Sequence, residues 1–211
     1  MSNIKLIPKI PAILIADYER RFIWFDVRES LNSSLAAGFV KLLKKLDGLS
    51  DKPITIYIRG VGGDFYAFMR MAHVIEDIKS NVAFVSFDLV RSGCFWITQF
   101  GNEHYALNGT RFTFHRAAES LNKGKKMSQE EYLRGFSRLK LIDGMQLWFF
   151  TRRGTPISEI IRLLEMDATI TVDDALRLKL VSGTYDNANF NIDKELVQKL
   201  VAAKYGPNIT V

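Results

Sequence analysis

The fold is decided by residues 82–96, Val-Ala-Phe-Val-Ser-Phe-Asp-Leu-Val-Arg-Ser-Gly-Cys-Phe-Trp. The first half is an apolar run typical of a buried strand, and the apolar pattern resumes as a helix after the break at Arg91-Ser92-Gly93. The hydroxyl of Ser92 would lie beside unpaired helix N–H groups and the positive end of the helix dipole. Both an attacking oxygen and an oxyanion would be stabilised there. An ordinary N-cap serine gives the same local pattern, so the interpretation depends on the sequence on either side.

A glycine-rich turn precedes this stretch by one helix. Residues 53–58 predict a strand that runs into Gly60-Val-Gly-Gly63, and Asp64 is placed to cap the helix that follows. Turns of this kind cradle phosphates in nucleotide enzymes, but this one lacks the Lys-Ser/Thr of a P-loop and the third glycine of a dinucleotide fingerprint. The bare backbone of Gly63 would instead let a substrate carbonyl approach its N–H group closely.

The alternation of strands and helices predicts a right-handed parallel α/β layer whose ligand site lies at the carboxyl ends of the strands. Gly63 and Ser92 both fall at that edge. A later predicted strand, residues 111–115, also ends there and places His115 as a third polar residue at a strand end. His73 and His104 fall inside predicted elements, where a structural or exposed role is expected.

The remaining chain predicts three parts: an N-terminal arm over 1–20, a main domain over 21–190 and a C-terminal helical extension over 191–211. The arm is expected to pair at a sheet edge or to contact other subunits. A capping box begun by Ser128 starts a long helix, about 128–152. The apolar residues of this helix exceed what one packing face needs, which predicts burial against another chain.

Composition narrows the function classes. The chain has 211 residues, 47% of them apolar and 25% charged, as expected for one globular domain with a sizeable core. Its formal charge of +6 is spread along the sequence, so nucleic acid is not an expected partner. A single cysteine, Cys94, excludes an internal disulfide and a cysteine metal cluster. The apolar stretches are too short to span a bilayer, and we expect a cytoplasmic protein without a metal or other cofactor.

Taken together, several motifs resemble the ClpP family of serine peptidases. They are Ile58-Arg-Gly-Val-Gly-Gly63, Arg91-Ser-Gly-Cys94, Tyr105-Ala-Leu107, Phe114-His115 and Arg153-Gly154 through Asp167 to Ala175. The 29-residue step from Gly63 to Ser92 matches the family without a gap. The resemblance covers about residues 20–185 and implies the α/β ClpP/crotonase fold, with stacked β-β-α units and a protruding handle helix at about 128–152.

The resemblance also implies a serine endopeptidase with a Ser-His-Asp triad. Ser92 would be the nucleophile and His115 the base, while Asp167 would hold the His115 tautomer and stabilise the imidazolium. The N–H groups of Gly63 and Gly93 would form the oxyanion hole. Amide hydrolysis needs a nucleophile, a base, an orienting acid and oxyanion donors, and these residues supply each of them.

Some residues depart from the family pattern. Arg91 and Gly93 flank the serine where the family has a small residue and a methionine, and the segment after the histidine, Arg116-Ala117 onward, is more charged. We expect Arg91, Arg116 and Ala117 to line the substrate groove. Met166 replaces an arginine that helps to couple the rings of the family.

The partners implied by the resemblance are a peptide or unfolded protein substrate and further copies of the chain. The family assembles as heptameric rings stacked into a tetradecamer, with the long helix between the rings. An AAA+ unfoldase is a further implied partner, but residues 1–20 lack a recognisable pore-loop pattern.

Two other functions remain open. Crotonase-like acyl-CoA enzymes share the fold and use paired N–H groups for a thioester oxyanion, but they need no serine triad. A catalytically silent ring subunit would support an active paralogue, although such members have usually lost a triad residue. A nucleophilic role for Cys94 has less support, because it lies inside an apolar helix, and no cluster of metal ligands is present.

Overall fold

A computed structural model describes residues 10–118, 128–207 and 209–211. Within these residues the strands are β1 (Ala12–Asp17), β2 (Phe22–Val27), β3 (Ile54–Gly60), β4 (Val82–Arg91), β5 (Glu103–Ala106), β6 (Arg111–Thr113), β7 (Thr169–Ile170) and β8 (Gly183–Thr184). The helices are α1 (Ser33–Leu49), α2 (Phe65–Asp77), α3 (Gly93–Thr98), α4 (Gln129–Thr151), α5 (Ile157–Glu165), α6 (Val172–Arg177) and α7 (Asn187–Tyr205). The predicted α/β class is therefore confirmed.

The strands form one sheet with the order β1-β2-β3-β4-β5-β8, parallel from β2 onward. Strand β1, from the predicted N-terminal arm, pairs antiparallel with β2 at the edge. Strand β4 bends at Asp88, whose φ is 58°. Its first part pairs with β5 and its last three residues pair with β6. This bend carries the end of β4 away from β5 and brings it beside the segment that leads to His115.

Alternating side chains of the sheet enter two cores. Phe25, Ile56 and Phe84 pack beneath helices α1 to α6 in the larger core. Trp24, Tyr57 and Phe87 point to the other face, which α7 covers with Phe190, Val197 and Val201. The sequence predicts a helical extension over 191–211, but this last helix begins at Asn187, because Asp186 accepts a hydrogen bond from Ala188 N at 3.0 Å and caps the helix earlier.

Helix α4 protrudes from the body, as the predicted handle does. Its start follows from the sequence, because Ser128 and Glu131 form the expected capping box. None of residues 129–141 is buried, and contact with the core begins at Ile142. The protruding part carries exposed apolar side chains at Tyr132, Leu133, Phe136 and Leu141. In the described part of the chain, no helix is both long enough and apolar enough to cross a membrane.

Candidate active site

Ser92 lies on a strained turn between β4 and α3. Its φ is 52° and its ψ is −136°, a conformation that costs a residue with a side chain on the order of 1 kcal/mol or more. Ser92 occupies the N-cap position of α3, but its hydroxyl makes no capping hydrogen bond. The ordinary N-cap role therefore does not explain the serine at this position. The turn instead places Ser92 in the lining of a cavity.

The glycine turn after β3 packs directly against Ser92. A Cβ atom at Gly62 would lie 2.4 Å from Cβ of Ser92 and 2.8 Å from N of Gly93, so only glycine fits at position 62. Gly62 also has a φ of 84°, which favours glycine. The sequence predicts a role for Gly63 in this turn but gives no signal for Gly62, whose close contact with Ser92 depends on the approach of two loops.

The two amides that the sequence predicts as oxyanion donors lie close to each other. Leu31 pairs with the glycine turn through Gly62 O at 2.6 Å and Asp64 N at 2.8 Å, which leaves the N–H of Gly63 outside this pairing. A Cβ atom at Gly93 would lie 3.9 Å from N of Gly63. Two N–H groups that donate to the same oxygen beside a serine hydroxyl stabilise a developing oxyanion, which is the role expected for Gly63 and Gly93.

A cavity of about 470 Å³ brings together several residues that the sequence predicts for the site. Ser92, His115, Gly63 and Ala117 all line it. Its apolar wall is formed by Phe65, Trp96, Leu139 and Ile142. Because these residues come from α2, α3, α4 and three separate loops, the tertiary fold assembles this cavity.

His115 is oriented by a hydrogen bond to its own neighbour. Nδ1 of His115 lies 2.8 Å from the carbonyl oxygen of Arg116, which can only accept, so Nδ1 carries the proton. Nε2 is then the unprotonated nitrogen. It is buried and has no hydrogen-bond partner in the described part of the chain. A neutral imidazole protonated on Nδ1 is the form that a general base acting through Nε2 needs, and His115 lines the same cavity as Ser92.

Asp167 and His115 lie at the same end of the β6–β7 pair, and no hydrogen bond joins their side chains among the described residues. Strands β6 and β7 pair antiparallel with Thr113 opposite Thr169, and Phe114 N donates to Ala168 O at 2.8 Å. His115 and Asp167 each lie one residue beyond this last hydrogen bond, at the same end of the two strands. Asp167 is exposed, with a φ of 45°, and among the described residues no hydrogen bond joins its carboxylate to His115.

The other predicted groove residues have different surroundings. Arg116 directs its guanidinium to Asp143 at 3.6 Å and Glu165 at 3.4 Å. Arg91 is half-buried, and its Nε has no hydrogen-bond partner among the described residues. Asp88, which precedes Arg91 on β4, pairs with Arg59 at 3.2 Å.

Asp143 is a second residue near the cavity for which the sequence gives no signal. Its Oδ1 accepts a hydrogen bond from Ala117 N at 2.7 Å, so the middle of α4 is tied to the segment that follows His115. Asp143 lies inside a long helix, where one acidic residue carries no pattern that would mark it.

Two alternative chemistries find no support here. Cys94 is fully buried, and burial raises the pKa of its thiol to about 12, so a thiolate nucleophile is disfavoured at neutral pH. Within the described residues, no group of three or more His, Cys, Asp or Glu side chains could hold a metal ion.

A comparison with protein-family models identifies a match for most of the chain. The family model described as Clp protease matches residues 17–187 of the chain. None of the curated proteins matches it. The matched range includes the turn at Gly62, Ser92, His115 and Asp167, together with the whole of α4.

Proposed function

Since the chain belongs to the Clp protease family over residues 17–187, we propose that it is a serine endopeptidase with Ser92, His115 and Asp167 as its catalytic triad. The observation that carries this proposal is the shared cavity of Ser92, His115 and Gly63. These residues follow three different strands, and in the proposed reaction they serve as oxyanion donor, nucleophile and base.

In the proposed reaction, Oγ of Ser92 attacks the peptide carbonyl carbon and its proton passes to Nε2 of His115. The oxyanion of the tetrahedral intermediate accepts hydrogen bonds from the N–H groups of Gly63 and Gly93. The C–N bond then breaks, and His115 returns the proton to the leaving amine. Water, deprotonated by His115, attacks the acyl-enzyme in the same way and releases the acid product with the free serine.

Asp167 has the role of stabilising the imidazolium that forms on His115. His115 and Asp167 adjoin the hydrogen bond between Phe114 and Ala168, and a carboxylate brought beside the ring would favour its charged form. In the described arrangement the carbonyl oxygen of Arg116 accepts a hydrogen bond from Nδ1–H, so the neutral tautomer does not depend on Asp167.

The proposed substrates are peptides or unfolded proteins. The apolar wall of the cavity, which includes Phe65, Trp96 and Leu139, suits an apolar side chain near the scissile bond. Ala117 lies in this wall region, and Arg91 and Arg116 are proposed to contact the substrate chain beyond it. The protein is proposed to act in the cytoplasm.

The proposed assembly is the stacked ring of the family, up to a tetradecamer. Helix α4 supports this proposal because it carries apolar side chains that the described residues leave exposed, such as Leu133 at 53% and Leu141 at 64%. An AAA+ unfoldase remains a proposed partner of such a ring.

One observation favours a second candidate, a catalytically silent ring subunit. Nε2 of His115 has no hydrogen-bond partner in the described residues, and Asp167 is not bonded to His115. A subunit of this kind would keep the fold and the assembly without turning over peptides.

A fluorophosphonate probe distinguishes the two candidates. The full chain is treated with the probe, and the modified residue is identified by mass spectrometry. Modification of Ser92 that is abolished by Ser92→Ala and retained in Ser30→Ala supports the peptidase, because Ser30 is an exposed serine beside the same glycine turn. Modification at another residue, or none in the folded assembly, rejects it.

A further inference from the structure

The peptide group between Arg116 and Ala117 is bonded on both sides. Its carbonyl oxygen accepts from Nδ1 of His115 at 2.8 Å. Its N–H donates to Oδ1 of Asp143 at 2.7 Å. Because the C=O and N–H of a trans peptide point in opposite directions, this one planar group lies between the imidazole and the carboxylate.

The Asp143 carboxylate makes the carbonyl oxygen of this peptide a stronger hydrogen-bond acceptor for His115. A hydrogen bond from an N–H to an ionised carboxylate is charge-assisted, and 2.7 Å is the short distance expected for it. Polarisation of the N–H increases the negative partial charge on the carbonyl oxygen of the same peptide, since consecutive hydrogen bonds strengthen one another. The proton on Nδ1 of His115 is therefore held more firmly.

Other contacts fix the carboxylate itself. Nε2 of the buried Gln146 donates to Oδ1 of Asp143 at 3.1 Å. Nη1 of Arg116 lies 3.6 Å from Oδ2. Asp143 follows Ile142, the first buried residue of α4, so it lies where the protruding helix meets the body. Its position is therefore set by the packing of α4.

We infer that Asp143 is a positioning residue for His115, which it orients through the 116–117 peptide so that Nε2 stays unprotonated and faces the Ser92 cavity. The effect on turnover rests on the proposed function, whereas the effect on the imidazole does not. Asp143 and Asp167 have separate roles. Asp143 sets the neutral tautomer before reaction, and Asp167 stabilises the imidazolium during it.

The test measures which nitrogen of the His115 imidazole carries the proton. Solid-state NMR of the full chain carrying isotope-labelled histidine distinguishes the two nitrogens, and His115→Gln identifies the resonances of His115. In the wild type we expect the proton on Nδ1. Asp143→Leu, which removes both acceptor oxygens, should move it to Nε2, whereas Asp143→Asn keeps an acceptor and should preserve the Nδ1 form.

Glu165→Gln is the matched control. It removes the other carboxylate that pairs with the Arg116 side chain at 3.4 Å, but it does not touch the 116–117 peptide. It should leave the His115 spectrum unchanged. An Nδ1 proton that persists in Asp143→Leu, or a change in Glu165→Gln of the same size, would overturn the inference. If Asp143→Leu fails to fold, an Nε2 proton in the wild type would overturn it equally well.

Activity gives the second measurement. The rate of fluorophosphonate labelling of Ser92 should fall roughly 10-fold or more in Asp143→Leu and recover in Asp143→Asn. If the wild type is not labelled but the tautomer follows Asp143 as expected, the proposed function fails and the positioning role stands. If labelling occurs and the tautomer ignores Asp143, the positioning role fails alone.

Discussion

Ser86 donates a hydrogen bond of 2.7 Å to Nε2 of His104, and both side chains are completely buried. Nδ1 of the same ring donates to the carbonyl oxygen of Leu180 at 2.8 Å. Ser86 and His104 are therefore a buried Ser-His pair, bonded on both ring nitrogens and closed to substrate. Burial lowers the pKa of His104 to about 3, so this ring stays neutral and serves the core.

His104 should make stability depend on pH. Because the unfolded chain binds a proton near pH 6.5 and the folded chain does not, the free energy of unfolding falls as pH drops below that value. Between about pH 7.5 and about pH 5, this group alone should remove about 2 kcal/mol. Urea denaturation of His104→Gln should show lower stability at the higher pH but a smaller fall. His73→Gln, at an exposed position on α2, should retain the wild-type fall, and a His104→Gln curve parallel to wild type would contradict the assignment.

Asp167→Asn should slow peptide hydrolysis on the order of 10²-fold through loss of imidazolium stabilisation. The loss should be smaller than for an acid that also fixes the tautomer, because the Arg116 carbonyl already holds Nδ1–H. Steady-state kinetics should place the effect in kcat. The neighbouring exposed Glu165→Gln serves as the comparison, and a larger loss in that variant would show that the third triad member is misassigned.

Gly62→Ala should displace Ser92 and reduce its reactivity. The new Cβ would lie 2.4 Å from Cβ of Ser92, so the turn or the serine must move. A displacement of about 1 Å can cost roughly 10²-fold in rate, which labelling of Ser92 by the probe would measure. Gly48→Ala is the control, because no atom lies within 4 Å of its added Cβ, and it should label normally. Normal labelling of Gly62→Ala would show that the turn does not constrain Ser92.

Assembly should depend on the protruding part of α4. Replacing Leu133 and Phe136 together by Lys puts charge on side chains that are 53% and 47% exposed in the single chain. We expect light scattering to show a smaller assembly for this double variant than for wild type, because an apolar interface loses its driving force. Ser137→Lys adds charge at an exposed position between the apolar ones and should have a weaker effect. A wild-type mass equal to one chain would contradict the prediction.

Arg91 should influence the choice between acidic and neutral peptides. It directly precedes Ser92, and its Nε has no partner in the described residues, while Asp88 is already paired with Arg59. Arg91→Ala should therefore reduce the preference for acidic over neutral peptides several-fold, by roughly 1 kcal/mol. A peptide library that varies only in charge measures the ratio of acidic to neutral cleavage. Arg70→Ala, at an exposed position on α2, is the control. Identical ratios for wild type and Arg91→Ala would remove this role.

Much of the fold could be predicted because its signals are local. Asp64 and Ser128 each cap a helix by accepting an N–H three residues later, as expected, so their role needs no distant partner. The apolar period of α4 also follows from the sequence, but it does not distinguish Trp148 from Phe149 in burial. Packing buries Phe149 and leaves Trp148 53% exposed. Strand β7 was missed, since two residues are too few to show a strand pattern and its pairing with β6 is long-range.

The sequence by itself determined the α/β alternation, the break at Ser92, the glycine turn and the order of the candidate catalytic residues. These features follow from periodicity, turn chemistry and spacing along the chain. Only the tertiary structure decided that Gly62 touches Ser92, that His115 is bonded to the Arg116 carbonyl and that Asp143 holds the other side of that peptide. Such contacts join distant residues over a few ångströms. Their formation depends on how helices and loops pack, which no local preference of a residue encodes.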